Sequence, residues 1–90
     1  MFYVYVLLGK DKNLYTGFTS DLKKRVKEHN LGLNPSTKRY RPWKLIYYEA
    51  SISELDCRRR EHYLKTTQGG RLLKRRLKEY FYNLNKDLTN

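Results

Sequence analysis

Two short runs at the start of the chain constrain its fold more than anything after them. Phe2 to Leu8 and Leu14 to Thr19 alternate in character, are rich in aromatic and β-branched residues, and are separated only by Gly9-Lys10-Asp11-Lys12-Asn13. Such a pair reads as a β-hairpin, because turn residues close both ends of the loop and period-two alternation sends successive side chains to opposite faces. In the first run Phe2, Val4, Val6 and Leu8 share one face, and Tyr3, Tyr5 and Leu7 the other. Both faces are apolar or aromatic, so this strand is expected at the centre of a sheet covered on both sides. The second run puts Leu14, Thr16 and Phe18 on one face, and Tyr15, Gly17 and Thr19 on the other. So short a connection forces the strands antiparallel. Tyr5 and Tyr15 therefore stand on neighbouring strands.

The remaining elements follow in order. Ser20 reads as the N-cap of a helix running to about Asn30. Leu22 and Val26 should face the core, Lys23, Lys24 and Lys27 should face out, and Arg25 and His29 share a stripe at i, i+4. Leu33 to Pro42, with two prolines, Asn34 and Ser36, reads as an irregular loop. Trp43 to Glu49 is a third strand, and Ser53 opens a second helix that runs to about Thr66. Gln68-Gly69-Gly70 is expected to break it, with a third helix from Arg71 to Leu84 and a tail from Asn85 to Asn90. The expectation is one small α+β domain over residues 1–84, a three-stranded antiparallel sheet flanked by three helices in the order strand, strand, helix, strand, helix, helix. Ninety residues leave no room for a second domain.

Charge narrows the partners. Twenty Lys and Arg against nine Asp and Glu leave a net +11, which predicts a polyanionic partner, nucleic acid before anything else. A highly solvated surface is the bland explanation of the same number. A membrane is not expected as a partner: the basic helices lack a broad apolar face, and no apolar run approaches the ~20 residues of a span. Cys57 is the lone cysteine, so neither a disulfide nor a cysteine-based zinc site can form within the chain. With no basic leader or cleavage site at the N-terminus, a cytoplasmic location is expected.

The chemistry-bearing residues are few. There is no Gly-rich phosphate loop, no HExxH, no nucleophile elbow and no cluster of carboxylates. Any metal would be held by few protein ligands and many waters, which suits Mg²⁺ at a phosphodiester. Glu61 falls on the inward stripe of the second helix, where a carboxylate is costly unless paired or metal-bound. An ion pair with Arg58 or Lys65 would satisfy it equally well. Tyr5 and Tyr15 are phenols able to orient or activate water, and are equally good strand-packing residues. Arg25 offers a bidentate grip on phosphate, or simply a solvated helix face. His29 suits proton relay, or a helix end favoured by the dipole. Gly17 allows close approach of backbone or substrate, or marks a bulge. Lys23 and Lys24 on the first helix, with Lys38, Arg39 and Arg41 in the loop, are candidate nucleic-acid contacts.

These residues carry a resemblance. Tyr3-Val4-Tyr5 and Tyr15-Thr16-Gly17, with nine residues between them, resemble the paired tripeptides of the GIY-YIG nuclease domain. Arg25 in DLKKRVKEH and Glu61 in RRREHYLK fall where that family keeps its helix arginine and its glutamate. STKR and KLIYYE look like the small stand-alone bacterial members, which are related to the N-terminal nuclease domain of the repair excinuclease and to intron homing endonucleases. The resemblance covers roughly residues 2–80. It implies a three-stranded antiparallel sheet flanked by helices, and phosphodiester hydrolysis with one divalent cation, Mg²⁺ or Mn²⁺. It implies Tyr5 and Tyr15 as active-site phenols, Arg25 as phosphate contact, His29 as auxiliary polar group, Glu61 as metal ligand and Gly17 as motif glycine. Three positions depart from the pattern: Tyr3 replaces the first motif glycine, Phe18 stands where repair members often carry lysine, and residues 69–73 lack the asparagine of some members.

The function expected is a divalent-metal-dependent DNA endonuclease, structure- or repair-related, of low sequence specificity, with a partner protein as one source of specificity. RNA is the other polyanion the charge admits. The alternatives are a non-catalytic nucleic-acid-binding module on the same fold, and a protein-docking domain that uses its aromatic strands.

Overall fold

Strand β1 (Phe2–Leu8) lies between β2 (Leu14–Thr19) and β3 (Lys44–Ser51) and runs antiparallel to both. The computed structural model describes residues 1–89. The central position of β1 explains its two apolar faces. On one, Val4 and Val6 pack with Cys57, Leu64 and Leu73; on the other, Tyr5 and Leu7 pack with Trp43. All four of these strand residues are no more than 1% exposed. Burying one such aliphatic side chain contributes about 1.5–3 kcal/mol. Alternation along seven residues thus divides the molecule into two layers around one sheet.

Helices fill each layer. Helix α1 (Leu22–Leu31) sends Leu22 and Val26 onto the Tyr5 face, and Tyr40 joins them. Helices α3 (Glu54–Leu64) and α4 (Thr67–Arg76) cover the Val4 face through Cys57, Leu64 and Leu73. A one-turn helix, α2 (Pro35–Lys38), follows α1, and α5 (Lys78–Thr89) follows α4. Among the described residues no helix is long and apolar enough to cross a membrane.

The sheet and its order agree with the alternation of the sequence; the helices differ in five places. Asp21, not Ser20, caps α1, because its carboxylate accepts from the Lys24 amide at 3.2 Å. The loop expected over 33–42 contains α2: Asn34 caps it by accepting from the Ser36 amide, and Pro35 sits in the first turn, where a missing N–H costs nothing. Gly69 and Gly70 do not break a helix but lie inside α4, which Thr66 caps by accepting from the Gly69 amide at 3.1 Å. The helix expected over 71–84 is two helices, parted at Leu77, whose backbone (φ −106°, ψ 27°) leaves the helical region. Among the described residues five α-helices therefore replace the expected three. The stretch read as a tail continues α5 as far as Thr89, and Asn90 lies outside the described residues.

The two adjacent glycines of α4 serve different ends. A methyl group at Gly69 would collide with the Tyr63 carbonyl and come 2.6 Å from the Leu64 Cα, so the α3–α4 corner closes only without a side chain there. A methyl group at Gly70 would meet nothing within 4 Å. Gly69→Ala is expected to cost about 2 kcal/mol or more, since the obstacle is backbone. Gly70→Ala is expected to raise stability by about 0.5 kcal/mol through helix propensity. Urea unfolding of the two variants, which should move in opposite directions, checks both.

Candidate active site

The site grows from one cross-strand pair. Tyr5 on β1 faces Gly17 on β2, and a methyl group at Gly17 would fall on the Tyr5 hydroxyl and 2.9 Å from its Cε1. The missing side chain is what lets the Tyr5 ring lie across the strand. Its hydroxyl, wholly buried, then meets two residues one turn apart on α1. Arg25 Nε donates to it at 3.3 Å, and it lies 2.8 Å from His29 Nε2. Since the Tyr5 oxygen accepts from Arg25, its own proton is free to go to His29 Nε2. His29 then carries its hydrogen on Nδ1 and donates it to Thr37 Oγ1 at 2.8 Å, and Thr37 in turn donates to the Asn34 carbonyl at 3.4 Å. The result is a directional chain from guanidinium to phenol, imidazole, hydroxyl and backbone.

Titration behaviour agrees with this chain. Burial pushes the Tyr5 phenol up to about 12, with the Arg25 hydrogen bond offsetting part of the effect. Burial, helped by the Arg25 charge, holds the His29 imidazole below the usual histidine range. The Tyr5 hydrogen bond raises the Arg25 guanidinium further. The resting site therefore holds a neutral phenol, a neutral imidazole and a charged arginine. Among the described residues no buried side-chain nitrogen or oxygen lacks a partner.

Loop residues hold the far end. Trp43 donates from its amide to Asn30 Oδ1 at 2.6 Å, and Asn30 Nδ2 donates back to the Trp43 carbonyl at 3.0 Å. The Trp43 indole donates to the Thr37 carbonyl at 2.8 Å. These bonds tie α1, α2 and β3 together and press Thr37 against His29. Nothing in residue spacing points to Thr37 or Asn34, and the sequence reading missed both.

Tyr15 completes the group. Its ring stands edge-on to His29 at 5.0 Å and 6.2 Å from Tyr5. Half-buried, it lines a groove of about 370 Å³ with Thr16, Lys65, Thr66, Gly70 and Lys74 along β2. On the other side of Gly17, Phe18, Asp21, Lys24, Arg25 and Glu28 line a cleft of about 300 Å³. Tyr5, Tyr15, Arg25, His29 and Gly17 are thus brought together.

Glu61 approaches the group from α3, and its partner Lys65 lines the groove of Tyr15. Its helix packs on the Val4 face, and its carboxylate, 13% exposed, accepts from Lys65 Nζ at 2.7 Å. Of the two ion pairs the sequence allowed, the structure forms that with Lys65, while Arg58 pairs loosely with Glu54 at 3.6 Å. The Glu61 charge still reaches Tyr5, as the weakest of the influences on its phenol. The basic candidates scatter. Lys24 lines the cleft of Arg25, and Lys23 a neighbouring one with Tyr3 and Tyr48. Lys38 is exposed, and Arg39 lies over the Tyr40 ring at 5.6 Å. Arg41 is engaged internally, donating to the carbonyls of Lys38 at 2.9 Å and Asn30 at 3.5 Å.

Two phenols on the hairpin of a three-stranded antiparallel sheet thus meet an arginine and a histidine from α1. Residues 1–71 match the sequence model of the GIY-YIG catalytic domain, and the chain belongs to the GIY-YIG family. It is similar to a UPF0213 protein of Clostridium perfringens, 46% identical over 66 residues, 72% of this chain and 71% of that one. It is also similar to a UPF0213 protein of Streptococcus pyogenes serotype M5, 56% identical over 53 residues, 58% of either chain. The solution NMR structure of a UPF0213 protein from Bacillus halodurans superposes with a TM-score of 0.51 at 34% identity, covering 81% of this chain and 82% of the other.

The neutral histidine makes a signed prediction. Below the ordinary value of 6.5 the unfolded chain takes up a proton that folded His29 resists, so stability contributed at neutral pH is lost as pH falls through 6.5. Unfolding midpoints of wild type should therefore fall more steeply below that pH than those of His29→Gln. Thr37→Val strands the buried Nδ1–H and should cost about 1–3 kcal/mol, read from urea unfolding at neutral pH.

Proposed function

We propose that the protein is a divalent-metal-dependent endonuclease that hydrolyses DNA phosphodiester bonds, directed by DNA structure or repair context more than by sequence. The observation that carries this reading is Arg25 anchored on the buried Tyr5 hydroxyl beside an open cleft. Its Nη1 meets Glu28 only loosely, at 3.6 Å and at the surface, a pair easily exchanged, so a guanidinium held through its Nε is preorganised to receive a phosphate and the charge that develops on it. Family membership and the net +11 charge support the same reading. Contacts to the backbone dominate such binding and carry little sequence information.

The residues divide the work. Arg25 grips the scissile phosphate. Tyr15, which lines the open groove, orients the attacking water. Tyr5 stays a phenol and holds Arg25 in line, because His29 takes its proton side and leaves its lone pair to the guanidinium. Glu61 is the candidate metal ligand. Among the described residues no group of three or more His, Cys, Asp or Glu could hold an ion, so the protein would offer few donors, Glu61 first among them. That fits a hard cation that keeps most of its waters, such as Mg²⁺ or Mn²⁺, once substrate phosphate adds oxygens and Lys65 yields the carboxylate. The ion, when bound, would polarise the phosphoryl oxygen.

The Glu61–Lys65 pair favours a second reading, a binding module on the same fold in which Glu61 only neutralises Lys65. A panel of duplex, nicked and branched DNA with Mg²⁺ or Mn²⁺ separates the two. Nicking or cutting is expected, with Arg25→Ala and Glu61→Ala each slower by about 10²–10³-fold. Absence of products above the Glu61→Ala control, with DNA still bound, would establish the binding module.

A further inference from the structure

Three consecutive arginines on α3 have three different fates. Arg60 is locked onto Glu49, with Nε at 2.9 Å from one carboxylate oxygen and Nη2 at 3.1 Å from the other. Arg59 projects into solvent, 72% exposed, loosely paired with Asp56 at 3.7 Å. Arg58 lies over the Phe18 ring, its guanidinium carbon 4.1 Å from the ring centroid. It is 53% exposed, and its Glu54 partner, 3.6 Å away, is equally exposed. An ion pair of that kind is screened and easily exchanged.

Phe18 is the link to the site. It follows Gly17 on β2 and lines the cleft that contains Lys24 and Arg25. Arg58 and Glu61 are three apart on α3 and share a face of that helix. Arg25 therefore reaches this end of β2 from the Tyr5 face and Arg58 from the Val4 face. A guanidinium carbon seated over a ring at this distance meets it through its face, leaving N–H donors at its rim for phosphate oxygens, with the Glu54 pair on Nε loose enough to exchange. The ring also restricts the side chain before the ligand arrives, so less freedom is lost on binding.

We propose that Arg58, seated on Phe18, is a second phosphate-binding subsite, taking a backbone phosphate of the same nucleic acid that Arg25 holds. The subsite rests on the nucleic-acid reading of the Arg25 cleft, but it does not require that cleavage occurs. Phe18 supplies the platform and Arg58 the charge.

Binding of a fluorescein-labelled short DNA duplex, followed by anisotropy in EDTA over a range of salt, tests it without cleavage. Arg58→Ala should weaken binding about tenfold and reduce the slope of log Kd against log salt by about one. Arg58→Lys should keep the slope yet bind more weakly than wild type, because it retains charge without the stacked fork. Phe18→Leu should also weaken binding, and little further in combination with Arg58→Ala. Arg59→Ala is the control, with less than about a twofold change. Circular dichroism confirms folding of each variant. If Arg58→Ala behaves like Arg59→Ala, the subsite is wrong, even if the wild type cuts DNA. If the wild type never cuts but Arg58→Ala shows the loss, the nuclease reading fails and the subsite stands.

Discussion

The hydroxyl of Tyr5 is the point on which the site depends. A phenol taken wholly out of water is costly unless its oxygen and proton both find partners. Here both do, and each partner imposes a condition on the chain. Arg25 and His29 must lie one turn apart on a helix, which they do at i, i+4. Gly17 must lack a side chain, or the ring could not cross β2. His29 needs an acceptor on its other nitrogen, and Thr37 provides it. Thr37 in turn needs α2 and the Asn30–Trp43 clamp. One buried oxygen thus links the hairpin, α1, the segment after it and the start of β3.

The same linkage explains how a small basic domain keeps one arginine in a defined pose. Exposed arginines and lysines sample many rotamers, and their surface pairs contribute little. Arg25 is different because its Nε is committed to a neutral, buried acceptor, while Glu28 pairs with its Nη1 only loosely at 3.6 Å. The site keeps a neutral His29 beside it, since a second positive charge there is disfavoured by burial and by Arg25 itself. Glu61 lies on α3, which packs on the opposite face of the sheet, and is bonded to Lys65, so the acidic half of the proposed chemistry would come from α3 and not from the Tyr5 hydrogen-bond network.

The positive charge is not uniform in use. Arg41 caps carbonyls at the ends of α2 and α1 and Arg60 neutralises Glu49, so part of the net +11 holds the fold together. Lys24 and Arg25 open onto one cleft and Lys65 and Lys74 onto the groove beyond Tyr15. A linear count of basic residues cannot make that distinction, because it depends on which side chains find carbonyls or carboxylates once the helices dock.

Local pattern sufficed for the sheet. Alternation in Phe2–Leu8, the short loop and the Tyr, Val and Ile content of the strands dictate an antiparallel hairpin and its faces, since period two is a property of the backbone. The i, i+4 spacing of Arg25 and His29 and the tripeptide pair likewise located the phenols and the arginine, although what Glu61 does was legible only as a choice between partners. Helix boundaries were harder. Gly69 looked like a breaker, yet it sits inside α4 because the Tyr63 and Leu64 backbone approaches too closely for any side chain. Asn34 and Pro35 looked like loop residues and instead start α2. The tertiary structure alone decided the rest: that Thr37 meets His29 from eight residues away, that Glu61 chooses Lys65, and that Arg58 lies on Phe18. These are contacts set by the angle and depth at which helices pack on a sheet, and no spacing along the chain encodes them directly.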